Sequence, residues 1–354
     1  MGRVRPGAEA NPASAAPPIA VTLVAVPESY VSCLTGLYDT FEVASTTIAP
    51  GRIYFDVEIV ALTDRLESRT SRFPIVPHRT IDQVDRTDVL IVPASAIAMV
   101  WEPGHHPEIL DWIRHLYDNG AVACSACSGG LLLAETGLLD GHAATSHWNE
   151  AERFRTYFPD VRLDLTKELV VAGDDQRLVT SGASSAWHDL ALYLISRYSG
   201  TEAAQAVARF FMLQWHPDGQ TPYLRFEPDT THGDAAILRV QAWIGQHWHK
   251  PDVLAELPDI ANLTERTFTR RFRQATGHSP VAYVQHKRVD EAKTLLETTR
   301  QPIEAICWAV GYDDPASFRR LFKRIAAVTP GAYRRKFAGA ETDPITTAIT
   351  TTGS

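Results

Sequence analysis

A chain of 354 residues, 45% hydrophobic and 21% charged, is longer than one ordinary domain and holds enough apolar side chain for two cores. Its formal charge of −8 is unevenly spread: residues 234–340 carry 17 Lys and Arg against 11 Asp and Glu, the remainder 17 against 31. Four cysteines without a recognisable export signal argue against a disulfide framework and for a reducing, cytoplasmic setting; no apolar run reaches the roughly 18 residues of a membrane span, so no membrane partner is expected.

Residues 1–18, rich in Ala and Pro, read as a disordered lead-in. From Ile19 short β-branched runs alternate with longer amphipathic ones. Strands are expected at 19–26, 54–62, 88–93 and 120–127, with helices at 34–46, 108–119 and 129–136. Strands separated by helices imply βαβ units and a doubly wound, flavodoxin-like parallel sheet, so residues 19–211 are expected to form an α/β domain. Further strands are expected at 162–165, 169–172 and 178–181, and a helix at 186–198. The Pro-, Gly- and Thr-rich stretch 212–233 reads as a linker, and the Thr-rich residues 339–354 as a disordered tail.

Residues 234–338 show no strand pattern. Helices are expected at 235–247, 254–261, 265–276, 280–297, 303–310 and 316–325, an all-α domain. Thr264 is a good helix N-cap, and Asn262 before it tolerates a left-handed backbone. On the helix that follows, Phe268, Phe272 and Ala275 share one face while Arg266, Thr269, Arg270 and Arg273 share the other. This is the pattern of a helix-turn-helix, whose second helix enters the major groove of double-stranded DNA. It recurs at 302–325: Ile303, Ile306 and Val310 point inward, Gly311 makes the turn, and Phe318, Leu321, Phe322 and Ile325 pack inward. Ala316, Arg320, Lys323 and Arg324 are left outward.

The run from Leu263 to Phe337 resembles the AraC/XylS DNA-binding domain over nearly its whole length. The resemblance is carried by T-G-H-S-P at 276–280, by Arg288, Ala292, Leu295 and Leu296, by I-x-x-x-V-G-Y at 306–312 and by T-P-x-x-Y-R-R at 329–335. It implies that Arg266, Thr267 and Arg270 of the first recognition helix, and Ala316 and Arg320 of the second, face operator bases. Arg273, Lys323 and Arg324 are then expected at phosphates. Two departures stand out. Pro258 falls where a good helix former is usual, so the first scaffold helix should be short or bent. Pro315 and Ala316 replace polar residues, so the second unit should read less sequence than the first.

In the α/β half, A-C-S-G-G at 126–130 places Cys127 at the end of a strand just before a helix opening near Ser128. A thiol there is exposed at a sharp turn, and the positive helix end favours its thiolate. With L-A-x-x-G-L-L-D-G at 133–141 and T-S-H-W at 145–148, the segment 19–199 resembles the PfpI-like branch of the class I glutamine amidotransferase superfamily. The resemblance implies a reactive Cys127 and a nearby His147. The carboxylate of catalytic relatives would fall at or beside Cys33, with Glu28 several residues early. The Gly-Gly turn expected after the third strand is replaced by Ala94-Ser95-Ala96. Cys33, Cys127, Ser128 and His147 are therefore expected to line an effector pocket rather than to catalyse.

Two alternatives stay open: a Cys127/His147 amidase or hydratase fused to a DNA-binding domain, and a thiol-switched regulator in which Cys124, Cys127 or Cys33 is oxidised. The tryptophans Trp148, Trp187 and Trp215 read either as core or as the wall of an amine pocket. The histidines show no metal-ligand spacing; His105 and His106 read as surface or capping residues in a Gly/Pro loop. The sequence thus implies a regulator with no cofactor and no metal, acting as a homodimer on an operator, with a small nitrogenous effector and RNA polymerase as candidate partners.

Overall fold

The computed structural model describes residues 17–48, 55–96 and 103–338. The expected tail, and all but the last two residues of the expected lead-in, lie outside them. The chain divides into two compact units at Gln220/Thr221.

In the first unit, strands β1 (Ile19–Ala25), β2 (Phe55–Ala61), β3 (Arg79–Thr80), β4 (Val89–Val92), β5 (Val122–Ala126), β8 (Leu169–Ala172) and β9 (Leu178–Ser181) form one sheet in the order β3-β2-β1-β4-β5-β9-β8. All its pairs are parallel except β8 with β9; β6 (Ala143–Ala144) and β7 (Arg162–Leu163) make a small parallel pair of their own. The inner strands β1, β4, β5 and β9 are buried on both faces, which is why they read as continuous apolar runs. Successive residues alternate between two cores. Val21, Leu23, Val89, Ile91, Val122 and Cys124 point to one side, where helices α1 (Val31–Val43), α5 (Trp187–Ser199) and α6 (Thr201–Phe211) cover them. Val24, Leu90, Val92 and Ala123 point to the other, against α2 (Pro107–Asp118) and α3 (Gly129–Glu135). A short helix, α4 (Ala151–Tyr157), adds Phe154 to the second core.

The stretch expected to be a linker is anchored over much of its length. Within the first unit the buried Gln220 side chain donates to Thr145 Oγ1 (3.1 Å), Ser146 O (3.0 Å) and Lys167 O (2.9 Å), and accepts from Ala183 N (2.9 Å). Pro, Gly and polar residues gave it the composition of solvated chain, yet here the polar groups close backbone bonds.

The second unit is all-α: α7 (Ala235–His247), α8 (Val253–Ala261), α9 (Glu265–Thr276), α10 (Pro280–Thr298), α11 (Ile303–Ala309), α12 (Pro315–Ala326) and α13 (Pro330–Phe337). Its opening residues are held on α10: Lys293 Nζ donates to Pro222 O (3.2 Å) and Leu224 O (2.7 Å), and Arg225 pairs with Asp290 and Glu297. Asp234, Ser279, Asp314 and Thr329 cap the following helices by accepting from backbone amides one turn on. Helix α8 runs through Pro258 for nine residues, so the proline shortens the ladder without ending it.

Two cores result. Leu257, Ala261, Phe268 and Phe272 pack with α7 and with Tyr283 and Val284; Ile306, Cys307, Val310, Phe318 and Phe322 pack with Val289, Ala292, Leu296 and Tyr333. Helix α10 serves both. From its middle, the buried Arg288 donates to Trp248 O (2.8 Å), Lys250 O (2.7 Å) and Gly311 O (2.9 Å). Gly311 adopts φ +82, and a Cβ there would lie 2.6 Å from His249 O and 3.0 Å from the Arg288 guanidinium. Gly311→Ala combines left-handed strain with that clash. It is expected to destabilise the second unit by about 2 kcal/mol or more, read from the urea midpoint of the full chain.

Candidate functional site

Cys127 has φ +55, a left-handed conformation unusual for a residue with a side chain, and it turns β5 into α3. The turn is held from both sides: Cys127 N donates to Ser181 O (2.9 Å), and Ser146 Oγ donates to Cys127 O (2.9 Å). Gly129 follows because a Cβ there would lie 2.4 Å from Val92 O. The expected elbow is therefore present, but Cys127 is buried, only 3% exposed.

Cys33, on α1, is brought close enough to Cys127 for their thiolate charges to oppose each other. Burial pushes the Cys33 thiol from 9.0 up to about 12, a rise that the amide of Ala94, donating to its Sγ (3.3 Å), only partly offsets. Ser128 accepts from Ser95 N (3.1 Å) and donates to Ser95 O. The amides of Ala94 and Ser95 are thus engaged by Cys33 and Ser128.

His147 caps the turn that follows it, its Nδ1 accepting from Asn149 N (3.1 Å), and burial holds its imidazole below the usual range. Trp148 lies against it, ring centroids 4.2 Å apart. Of the other tryptophans, Trp187 covers Gly36, whose Cβ would meet its ring at 2.5 Å, and Trp215 is largely exposed. The strand residue Cys124 is fully buried, and burial raises its thiol as well.

Sequence reasoning missed two groups in this unit. Asp189, 2% exposed, accepts from the backbone N of His216 (3.0 Å) and pairs with its Nδ1 (2.7 Å). Glu28, 1% exposed, receives His106 Nε2 at 3.3 Å, His105 Nε2 at 3.8 Å and Arg69 Nη1 at 2.8 Å. The reading of His105 and His106 as surface or capping residues needs correction. His106 stands at the N-cap of α2 but makes no side-chain cap bond, and both rings turn to the Glu28 carboxylate. Burial lowers the His106 pKa against the pull of Glu28. No fixed spacing announces such a group, because its members lie on loops 77 residues apart.

In the second unit, Arg266, Thr269, Arg270 and Arg273 are exposed along one side of α9, where with Glu265 and Gln274 they line a shallow, open concavity. Among the described residues, the side chains of Arg266, Arg270, Arg273 and Lys323 make no hydrogen bond or ion pair. Neighbouring arginines do: Arg271 with Asp234, Arg319 with Glu304. Thr267 differs from the rest of its set, being half-buried and accepting from the Thr264 hydroxyl (3.0 Å). On α12, Ala316, Arg320, Lys323 and Arg324 are exposed; Arg320 donates to Ser317 (2.7 Å) and Arg324 to Gln285 (2.9 Å). Pro315 is the first residue of α12, its missing N–H costing nothing there, and Asp314 caps the helix before it.

The Cys33 shift carries a pH dependence. The unfolded thiol ionises near 9.0 and the folded one near about 12, so its contribution to stability is complete below pH 9 and is lost as pH rises from 9 towards 12. Between pH 8 and 11 the wild-type urea midpoint should fall further than that of Cys33→Ala. At pH 7.5 iodoacetamide should leave Cys33 unmodified until the chain is unfolded.

A helix-turn-helix domain model matches residues 257–336 and a DJ-1/PfpI family model residues 33–197. The HTH-type transcriptional regulator CdhR of Pseudomonas aeruginosa is 30% identical over 230 residues, 64% of this chain and 67% of its own. The HTH-type transcriptional regulator GlxA of Rhizobium meliloti is 26% identical over 227 residues, 63% of this chain and 68% of its own. No helix among the described residues is long and apolar enough to cross a membrane. The match to CdhR, the two domain models and the elbow-plus-paired-helix architecture place the chain in the family of HTH-type transcriptional regulators that join a DJ-1/PfpI domain to an AraC-type DNA-binding domain.

Proposed function

We propose that this DNA-binding regulator reads its operator chiefly through Arg266, Thr269 and Arg270 of α9, and that its DJ-1/PfpI unit binds a small molecule rather than turning one over. The observation that carries the DNA-reading half is the set of exposed cationic side chains on α9 with no partner among the described residues, beside Arg271, which is paired with Asp234. Unspent guanidinium donors on an exposed helix suit guanine edges and phosphates. Arg273, Lys323 and Arg324 are assigned to phosphate, and Ala316 and Arg320 to a second, weaker reading. Thr267 supports the helix start more than it reads bases, since its hydroxyl is engaged by Thr264.

The sensing half rests on what the elbow lacks for catalysis. Thiol chemistry wants a base beside the nucleophile and donors aimed at the developing oxyanion. Here the resemblance puts the carboxylate position at or beside Cys33, itself a buried thiol, and the amides of Ala94 and Ser95 are already bonded. The same burial works against Cys33 as an oxidisable thiolate, so a thiol switch is the weaker alternative. Cys33, Cys127, Ser128 and His147 are then the residues nearest a bound effector, of which amines and amino acids are the class to screen first. A homodimer would double the base contacts, and RNA polymerase would be the further partner of an activator.

Arg266→Ala and Arg270→Ala should each weaken binding to the operator by about 1–3 kcal/mol and relax specificity at one base pair. Lys323→Ala should instead lower the salt slope of binding by about one without changing sequence preference. Gel-shift titrations at several salt concentrations separate the two effects. Footprints and affinities unchanged in both arginine variants would remove the assignment of α9 as the reader.

A further inference from the structure

From the geometry we infer that Glu28, His105 and His106 form a three-ligand site for a divalent transition cation of the zinc class. It lies on the loop that follows β1 and the loop that precedes α2. The site is independent of the DNA-reading assignment above.

Three observations carry it. The donor atoms of all three side chains lie within 4.8 Å of one another, with His106 Nε2 3.3 Å and His105 Nε2 3.8 Å from the two oxygens of Glu28. Ligands at about 2.0–2.2 Å around a tetrahedral zinc ion stand roughly 3.3–3.6 Å apart, so each histidine already stands close to ligand spacing from Glu28 and the set closes by rotation of the more exposed ring of the pair. Second, the Glu28 carboxylate is almost wholly withdrawn from water, yet its Oε1 accepts no hydrogen bond. Arg69 Nη1 stands 2.8 Å from that oxygen, but off the line of a directed bond, so it supplies charge alone. A buried anionic oxygen with no directed donor is costly, and a metal ion is a partner that satisfies it. Third, the frame is built: Ala96 N donates to Glu28 O (2.8 Å) and Arg69 N to Pro27 O (2.8 Å), fixing the loop that presents the carboxylate.

The donor set decides the class of ion. Two imidazoles with one carboxylate suit zinc and its transition-metal neighbours, whereas magnesium and calcium want oxygen alone. Three protein ligands leave a fourth position for water or for a donor atom of a small molecule. Arg69, whose side chain is 59% exposed, has room to withdraw into solvent as the ion takes its place. The arginine and the metal are therefore competitors for Glu28.

That competition supplies the test. The full chain, stripped with a chelator, is titrated with Zn²⁺ by calorimetry and with Co²⁺ by visible absorption. One equivalent should bind with nitrogen-ligand cobalt bands. His105→Ala and His106→Ala should each weaken it by at least about tenfold, and Glu28→Gln likewise. Arg69→Gln should tighten it, an effect that scattered surface histidines would not produce. His105 is partly exposed, so its variant keeps the test valid if Glu28→Gln fails to fold. Zinc affinity equal in the wild type and in both histidine variants, or weakened by Arg69→Gln, overturns the site.

Discussion

One guanidinium organises the DNA-binding unit. Arg288 sits inside the protein with three backbone carbonyls and no carboxylate for company: two at the end of α7 and one at the turn between α11 and α12. The carbonyls at a helix C-terminus carry partial negative charge, and the planar fork satisfies three of them from one position. Lysine could not, because its ammonium is a compact point charge without that spread of donors. Both helix-turn-helix cores are thereby fastened to the middle of α10. Tyr312 closes over the guanidinium, its ring centroid 5.1 Å away. Gly311 is glycine because its backbone is left-handed and a Cβ there would collide with His249 O and the guanidinium itself.

In the first unit the governing constraint is a sheet buried on both faces. Its central strands supply apolar residues in both directions, and the polar residues buried within them, Thr22, Ser125 and Thr180, are small uncharged hydroxyls. The chemistry is therefore collected along the edge where β1, β4, β5 and β9 run out: Glu28, Ser95, Cys127 and Gly182 all lie just beyond them. The elbow and the Glu28 cluster share this edge, on loops leaving the parallel strands β5 and β1, with β4 between them. An elbow kept with its strained residue retains the architecture of a reactive site, while the nearby amides of Ala94 and Ser95 are taken up by Cys33 and Ser128.

Much of this was legible in the sequence, for reasons that differ by element. The strands at 169–172 and 178–181 and the helices at 235–247 and 265–276 were bounded correctly, because apolar periodicity and capping residues agree there. The split of α9 into Phe268 and Phe272 inward and arginines outward follows from a 3.6-residue repeat alone. The short helices α4 and α13 and the two-residue strands β3 and β6 were not legible, being too short to show a period, whereas β7 falls within the strand expected at 162–165. Gln220 and Lys293 were hidden for another reason: each is a polar residue bonded mainly to backbone carbonyls or amides, and those leave no mark in composition. Thr267 looked like its neighbours until its hydroxyl was found at the Thr264 cap. The Glu28 group was least legible of all, since loops far apart in sequence meet only through the sheet order.

The length of α10 is a ruler. Its 19 residues span about 28 Å, and one helix-turn-helix core is built at its start and the other towards its end. Successive major-groove segments on one side of straight B-form DNA are about 34 Å apart. On the proposed reading, two recognition helices carried on a rod shorter than that repeat would both seat best where the duplex curves towards the protein. The energy of curving depends on the base steps that flex. Base pairs between the two contacted segments, touched by no side chain, would then enter the operator's specificity through their stiffness.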